Sequence, residues 1–214
     1  MNKNKISIRL KNLIEEYIKN NIYNYILVVL VFIIGIVAGI ITINNFSSEK
    51  KEIIYNYITA FLEKFYNTNN LEQNKVFVIA IIHNLIITII LCIAGTTILG
   101  IPIVLSVMVY KGFCLSYTIS ALTLSIGFNK SILFCFVALF LPNLLCIPAL
   151  FTIAVSSLKL YKLIVSEKNR NIIKNRLLRH FIITILMFLI LVFASIIESK
   201  LSFLILKLVK NYIM

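Results

Sequence analysis

The segment IPIVLSVMVYKGFCLSYTISALTLSIG, residues Ile101 to Gly127, contains the feature that decides the fold. It is apolar and long enough to cross a bilayer, because a hydrocarbon core about 30 Å thick needs about 20 mostly apolar residues in a helix. Lys111 lies near its middle, Gly112 follows directly, and the segment contains no acidic residue. The sequence therefore predicts a transmembrane helix that carries a lysine near mid-depth.

The composition of the whole chain indicates a membrane protein rather than a soluble domain. Of the 214 residues, 60% are hydrophobic and 14% are charged, whereas a soluble domain has about 45–50% apolar and about 25% charged residues. The formal net charge of +13 would suit nucleic-acid binding, but the lysines and arginines flank apolar segments, as topology determinants do. We therefore expect the lipid bilayer as a partner and reject nucleic acid.

Five segments of the chain have the length and apolar character of a membrane span. They are residues 23–43, 76–99, 101–125, 131–156 and 181–198. Gly100 and Pro102 lie at the turn between the second and third spans, where glycine is typical of a helix end and proline of a helix start. Gly127 lies in a similarly short turn between the third and fourth spans. We therefore predict an all-α polytopic membrane protein in which spans two to four form one compact unit.

The charges between the spans predict the orientation. Residues 1–22 and 157–180 are rich in lysine and arginine, whereas cations and carboxylates balance in residues 44–75. By the positive-inside rule, the N-terminus and a basic loop at 157–180 are cytoplasmic. Residues 44–75 then form an extracytoplasmic loop, and residues 199–214 form an extracytoplasmic or interfacial tail. The first span is too long for a signal peptide and lacks a cleavage site, so we expect it to be retained.

Two segments outside the spans predict amphipathic helices. Residues 1–22 carry a short apolar stripe beside basic residues, which is typical of a cytoplasmic helix in the membrane interface. After Ser48, apolar residues of the 44–75 loop recur at helical spacing. This external helix either lies in the lipid interface or docks an extracytoplasmic partner. The candidate partner-contact residues of its stripe are Tyr57, Phe61 and Phe65.

Polar side chains within the spans are candidate functional residues, because they are costly in hydrocarbon. Spans two to four carry four of them, which neighbouring helices can gather into one structural polar cluster. They are His83, Asn84, Lys111 and Asn143.

We expect the lysine of the third span to donate hydrogen bonds to backbone carbonyls that prolines leave without a partner in the fourth span. Pro142 and Pro148 have no N–H, so the carbonyls four residues before them lose their helical partners. Such carbonyls need protein donors in hydrocarbon, and lysine supplies three. We expect Lys111 to donate to these carbonyls and to Asn143, with Gly112 allowing close backbone approach. A snorkelling lysine and a lysine used in transport or catalysis are the alternatives.

The sequence lacks the common catalytic motifs. It contains no aspartate, no H-E-x-x-H, no G-x-S-x-G and no Walker A motif. The four cysteines lie in apolar stretches and form no C-x-x-C, so we expect small buried side chains rather than a metal site. We therefore expect that the protein is not an enzyme and that it binds no cofactor and no metal.

Two stretches carry a family resemblance. HNLIITIILCIAGTTILGIPIVLSVMVYKG contains the amide-bearing start of span two, the Gly100–Pro102 turn and the Lys111–Gly112 pair, and LFLPNLLCIPAL contains Pro142, Asn143 and Pro148. In order and spacing they resemble the stage II sporulation protein M family over nearly the whole chain. One departure is that the family pattern has a further glycine soon after Lys111–Gly112. This chain has the small residues Cys114 and Ser116 there.

The resemblance implies a function that composition does not. It implies a non-enzymatic membrane scaffold in the mother-cell septal and engulfing membrane of endospore-forming bacteria. The implied partners are stage II sporulation proteins P and D, which remodel septal peptidoglycan during forespore engulfment. Relatives outside sporulation leave an alternative, a membrane permease subunit or accessory component of a transport system. Glu198, near the outer end of the fifth span, is the nearest carboxylate for ion-coupled transport.

Overall fold

The structure is a computed structural model that describes residues 15–202 except 68, 69, 98 and 168. This part of the chain contains helices and turns and no strand. The described residues also include two π-helical segments. One lies between the fifth and sixth α-helices of this part of the chain, and the other follows its last α-helix. The elements are α1 (Ile22–Asn44), α2 (Ser48–Asn67), α3 (Asn70–Ala94), α4 (Gly100–Ile126), α5 (Phe128–Cys135), π1 (Phe136–Phe140), α6 (Leu141–Ser166), α7 (Arg170–Ile196) and π2 (Ile197–Ser202).

Within the described residues, five helical stretches are long and apolar enough to cross a bilayer, which confirms the predicted all-α polytopic architecture. They are Ile22–Asn44, Phe77–Ala94, Gly100–Ile126, Phe128–Ser166 and Arg170–Lys200. In the predicted N-terminal interfacial segment, residues 15–19 are helical and residues 20–21 form a turn before α1. Residues 1–14 of that segment and most of the 199–214 tail lie outside the described residues.

The segment 157–180 differs from the expected basic loop, because almost all of it is helical. α6 continues to Ser166 and α7 begins at Arg170. No glycine or proline interrupts this segment, and its many lysines and arginines favour helix. Asn169 caps α7, since its side-chain oxygen accepts a hydrogen bond from Asn171 N at 3.0 Å. The cations of this segment that the structure describes therefore lie on helical extensions of the last two spans.

Among the described helices, α1 and α4 form the most extensive contact, and small residues make it possible. A Cβ atom at Gly35 would collide with the carbonyl oxygen of Val109, and one at Gly112 would collide with the carbonyl oxygen of Phe32. Small residues at such a crossing let two membrane helices pack backbone to backbone. The third span therefore packs mainly against the first. Spans two, three and four also contact one another, and Gly112 faces α1 rather than the fourth span.

The core of the bundle forms around α6. Ile153, Ala154 and Leu158 are fully buried, together with Leu91 of α3 and Leu191 of α7. At this crossing, Ser157 Oγ donates to the carbonyl oxygen of Leu91 at 2.6 Å. Because water is absent from the membrane interior, such interhelical hydrogen bonds add to packing in holding the spans together.

Candidate functional site

A cavity of about 400 Å³ lies between α3, α4, α6 and π2. We call it the polar cavity and define it by five of its lining residues, which come from four helices of the bundle. They are His83, Asn84, Lys111, Asn143 and Glu198. The structure thus brings the four polar residues singled out in spans two to four to one place, and adds a carboxylate from the end of the last span.

Asn84 serves to hold the helices around the cavity. Its side chain is only 6% exposed, and its amide nitrogen donates to Ser195 Oγ of α7 at 3.0 Å. The amide oxygen faces the Cys146 thiol of α6, with 3.9 Å between sulfur and oxygen. One buried amide therefore connects α3 to both of the last two spans, and both its nitrogen and its oxygen have a hydrogen-bonding partner.

The fourth span is irregular where its first proline lies. Pro142 is the second residue of α6, just after π1, in keeping with the rule that proline removes a donor and clashes with the carbonyl four residues earlier. Asn143 Nδ2 donates to the carbonyl oxygen of Leu139 at 2.7 Å. Among the described residues, no hydrogen bond joins Lys111 to the fourth span. The expected role of Lys111 as donor to freed carbonyls is therefore wrong, and Asn143 bonds to a neighbouring carbonyl of its own span, that of Leu139.

Pro148, the second proline of that span, lies inside α6 without ending it, and its ring is exposed. Thr152 Oγ1 donates to the Pro148 carbonyl oxygen at 2.9 Å. At the other turn, Gly100 is the first residue of α4 and Pro102 lies in its first turn, where a missing N–H has no helical acceptor to lose. A Cβ atom at Gly100 would collide with the carbonyl oxygen of Ala94.

Lys111 and Glu198 are the opposite charges of the polar cavity. The Lys111 ammonium is close enough to Glu198 and His83 to interact with both electrostatically. In the described part of the chain, Lys111 and Glu198 form no direct ion pair. Both residues line the polar cavity. Lys111 is partly exposed and Glu198 is exposed, so both side chains are accessible to a ligand there.

An apolar groove of about 480 Å³ adjoins the polar cavity. We define the apolar groove by Leu115 and Ile119 of α4 and by Phe136, Leu139 and Phe140 of π1. The rings of Phe136 and Phe140 stack with centroids 5.2 Å apart. The groove and the cavity share Leu115, Leu139 and Asn143 in their walls. An apolar compartment and a charged one are therefore neighbours at the π1 segment.

The amphipathic helix α2 is fixed on the bundle by one face. Leu62 is buried against Leu122 of α4 and Phe134 of α5, and Ile58 packs against the same cluster. On the neighbouring face, the Tyr57 side chain is 72% exposed. Phe61 is exposed as well, and the side chain of Phe65 lies outside the described residues. The predicted single stripe is thus divided into a docked face and an outward face.

A buried serine–histidine pair lies at the other end of the bundle. Ser156 Oγ and His180 Nδ1 are 2.8 Å apart, and His180 Nε2 lies 3.3 Å from the carbonyl oxygen of Cys92. A carbonyl only accepts, so Nε2 donates and Nδ1 accepts from the serine hydroxyl. Both side chains are buried, with His180 only 2% exposed. The pair joins α3, α6 and α7 and offers no open nucleophile.

The described residues contain no group of three or more histidine, cysteine, aspartate or glutamate side chains that could hold a metal ion. Sequence reasoning left Glu198 out of the polar cluster. The signal available was that Glu198 is the only acidic residue within the five predicted spans. Its approach to Lys111 depends on π2, for which the sequence carries no recognisable pattern.

The comparison with protein families supports the resemblance noted in the sequence. The model of a family described as Stage II sporulation protein M matches residues 28–202. This region includes α2 and every residue that defines the polar cavity and the apolar groove. Searches of the curated proteins and of the solved structures found no match.

Proposed function

The chain belongs to the stage II sporulation protein M family, and on that premise we propose that it is a non-enzymatic scaffold for septal wall remodelling. It is a multi-pass membrane protein of a sporulation family. In the proposed role it recruits peptidoglycan-degrading proteins, stage II sporulation proteins P and D, to the mother-cell membrane during forespore engulfment. The partners act on the wall, so the contact surface lies outside the cytoplasm.

The outward face of α2 is the observation that carries this proposal. Ile58 and Leu62 fix the helix against α4 and α5, so the adjacent face is presented in a defined orientation. Tyr57 and Ile53 are both more than half exposed on that helix. Aromatic side chains with a polar tip are enriched in protein interfaces because they give much contact area and a hydrogen-bonding group. A rigidly mounted helix with such residues is suited to docking another protein.

The charge distribution supports the orientation that this role needs. Lys162 Nζ donates to Asn24 Oδ1 at 2.7 Å, so the start of α1 and the end of α6 lie at the same end of the bundle. Lys159, Arg176 and Arg179 line one small cavity there. Because cationic ends of spans face the cytoplasm, α2 at the opposite end faces the wall. The N-terminus is then cytoplasmic.

Co-purification from sporulating cells tests the proposal. The double variant Tyr57→Ser/Phe61→Ser is compared with Tyr55→Ser, which removes an exposed tyrosine about 200° around the same helix. We expect the wild type and Tyr55→Ser to retain both wall-degrading proteins and the double variant to lose most of them at equal membrane abundance. Equal recovery by all three proteins would remove α2 as the contact surface. Failure of the wild type to recover either protein would overturn the scaffold function itself.

The polar cavity favours the permease alternative, because transported solutes bind at charged sites within the spans. Solute uptake into vesicles containing the purified protein decides between the two functions. A permease loses uptake in His83→Ala and Asn143→Ala variants. A scaffold shows no uptake above that of empty vesicles, and its deletion leaves septal wall unthinned.

A further inference from the structure

We propose that the polar cavity and the apolar groove together bind one phospholipid whose headgroup carries both a phosphate and a primary amine. The headgroup occupies the polar cavity, and an acyl chain lies in the apolar groove. This site is separate from the outward face of α2, and the inference does not depend on the scaffold function.

The shape of the two compartments matches an amphiphile. Leu115, Leu139 and Asn143 contribute to both walls, so the charged and the apolar compartments meet at these residues. One side of the junction carries Lys111 and Glu198. The other side is lined almost entirely by carbon. A soluble polar solute would leave the groove unused, whereas a lipid fills both parts.

The charges in the polar cavity select the headgroup. An ammonium binds phosphate through charge-assisted hydrogen bonds. Within the part of the chain that the structure describes, Lys111 forms no hydrogen bond, so its donors are available for this. Glu198 accepts hydrogen bonds from a primary ammonium group. A headgroup with a phosphate alone leaves the carboxylate unpaired, and a quaternary amine has no N–H to donate. Because unpaired charges are costly away from water, the aminophospholipid is preferred.

The position of the groove makes a lipid the natural occupant. Phe136, Phe140 and Ile132 are each at least half exposed along this groove, and they belong to the stretch Phe128–Ser166 that is long enough to span the membrane. Outward apolar side chains at this depth face acyl chains, which are the solvent of the bilayer core. The irregular segment π1 forms the groove wall, and π-helical turns occur frequently at functional sites.

Native mass spectrometry of the purified full chain tests the site directly. The protein in mild detergent is incubated with equal amounts of phosphatidylethanolamine, phosphatidylglycerol and phosphatidylcholine. We expect one retained phosphatidylethanolamine, preferred by roughly tenfold, which corresponds to about 1.4 kcal/mol and is near the lower end of what one charge-assisted hydrogen bond contributes. Equal retention of the three lipids would overturn the proposal, as would equally effective competition by soluble phosphoethanolamine, which indicates a free solute.

Matched variants locate the bound lipid. Glu198→Gln is expected to lose the preference over phosphatidylcholine, and Lys111→Met to lose retention, whereas Lys50→Met on exposed α2 keeps both. Ile119→Trp fills the apolar groove and should block retention, while Ile93→Trp, on the exposed face of α3, should not. Size-exclusion and circular dichroism confirm folding. If a charge variant unfolds, the wild-type selectivity and the tryptophan pair still decide, and retention unaffected by Ile119→Trp would contradict the site.

Discussion

Gly35 of α1 lies directly against the backbone carbonyl of Val109 in α4, with no room for a Cβ atom between them. Gly39 lies one turn further along the same face, against Ser116 and the carbonyl oxygen of Phe113. The first and third spans are therefore in backbone contact over at least one helical turn. This contact brings α1 to one side of α4 and leaves Lys111, on another face, toward the polar cavity.

The first prediction concerns this helix crossing. Gly35→Ala adds one methyl group against a backbone carbonyl that cannot move aside, so α1 and α4 must separate. We expect a loss of about 1–3 kcal/mol in stability, the usual cost of overpacking, seen as a lower thermal midpoint in detergent. Val37→Ile is the control, because it adds one methylene on the exposed side of α1. Equal midpoints for the two variants would contradict the close crossing.

The second prediction concerns the Asn84–Ser195 hydrogen bond. A double-mutant cycle of Asn84→Ala and Ser195→Ala should give a coupling energy of about 0.6–1.7 kcal/mol, the range for hydrogen bonds between membrane helices. The measurement is the unfolding free energy of the four proteins in mixed micelles. Thr59 on α2 is a control partner for Asn84→Ala, because its hydroxyl bonds only within α2. Additive effects of Asn84→Ala and Ser195→Ala would show that the two side chains do not interact.

The third prediction compares the contributions of Asn143 and Lys111 to stability. Asn143→Ala removes the donor to the Leu139 carbonyl and should cost about 0.5–1.5 kcal/mol, the usual net contribution of one hydrogen bond. Lys111→Met should cost less than Asn143→Ala, since Met keeps the apolar stem and no hydrogen bond from Lys111 to a described residue of the fourth span is lost. Thermal unfolding of both variants without added lipid makes the comparison. A larger loss for Lys111→Met would restore the packing role expected from the sequence.

The fourth prediction concerns orientation. Reporter fusions after Asn67, at the end of α2, and after Asn169, before α7, should report opposite compartments, with Asn169 cytoplasmic. The reason is that the candidate spans α3, α4 and α5–α6 lie between them, and three crossings reverse the side. An alkaline phosphatase fusion and a fluorescent protein fusion are made at each position. Each reporter serves as the control for the other, because they should report opposite compartments. Fusions that share a compartment would be incompatible with the five-span topology.

The spans were predictable because their signal is local. A run of about 20 apolar residues is sufficient for a helix that crosses the membrane, and the resemblance carried by Lys111, Pro142 and Asn143 pointed to the family that the comparison supports. The pairing of α1 with α4 was not predictable in this way. Gly35 and Gly39 have the four-residue spacing of a close helix contact, but the spacing does not say which helix faces them.

The side-chain contacts of the polar cavity were not predictable from the sequence either. Pro142 signals an irregular helix, but the sequence does not say whether the helix kinks, ends or widens into a π turn. The structure widens it, and Asn143 then reaches the Leu139 carbonyl of its own helix. Glu198 reaches the same cavity through the second π segment. Both outcomes depend on tertiary packing, which propensities and spacing do not contain.

Site-specific photo-crosslinking at Tyr57 is the most direct measurement of the proposed scaffold function. A photoreactive amino acid replaces Tyr57 in sporulating cells, and the same replacement at Tyr55 serves as the control on the other side of α2. The account predicts an ultraviolet-dependent adduct between position 57 and stage II sporulation protein P or D, and none at position 55. Crosslinks from position 57 to lipid alone, at normal abundance of both partners, would contradict it.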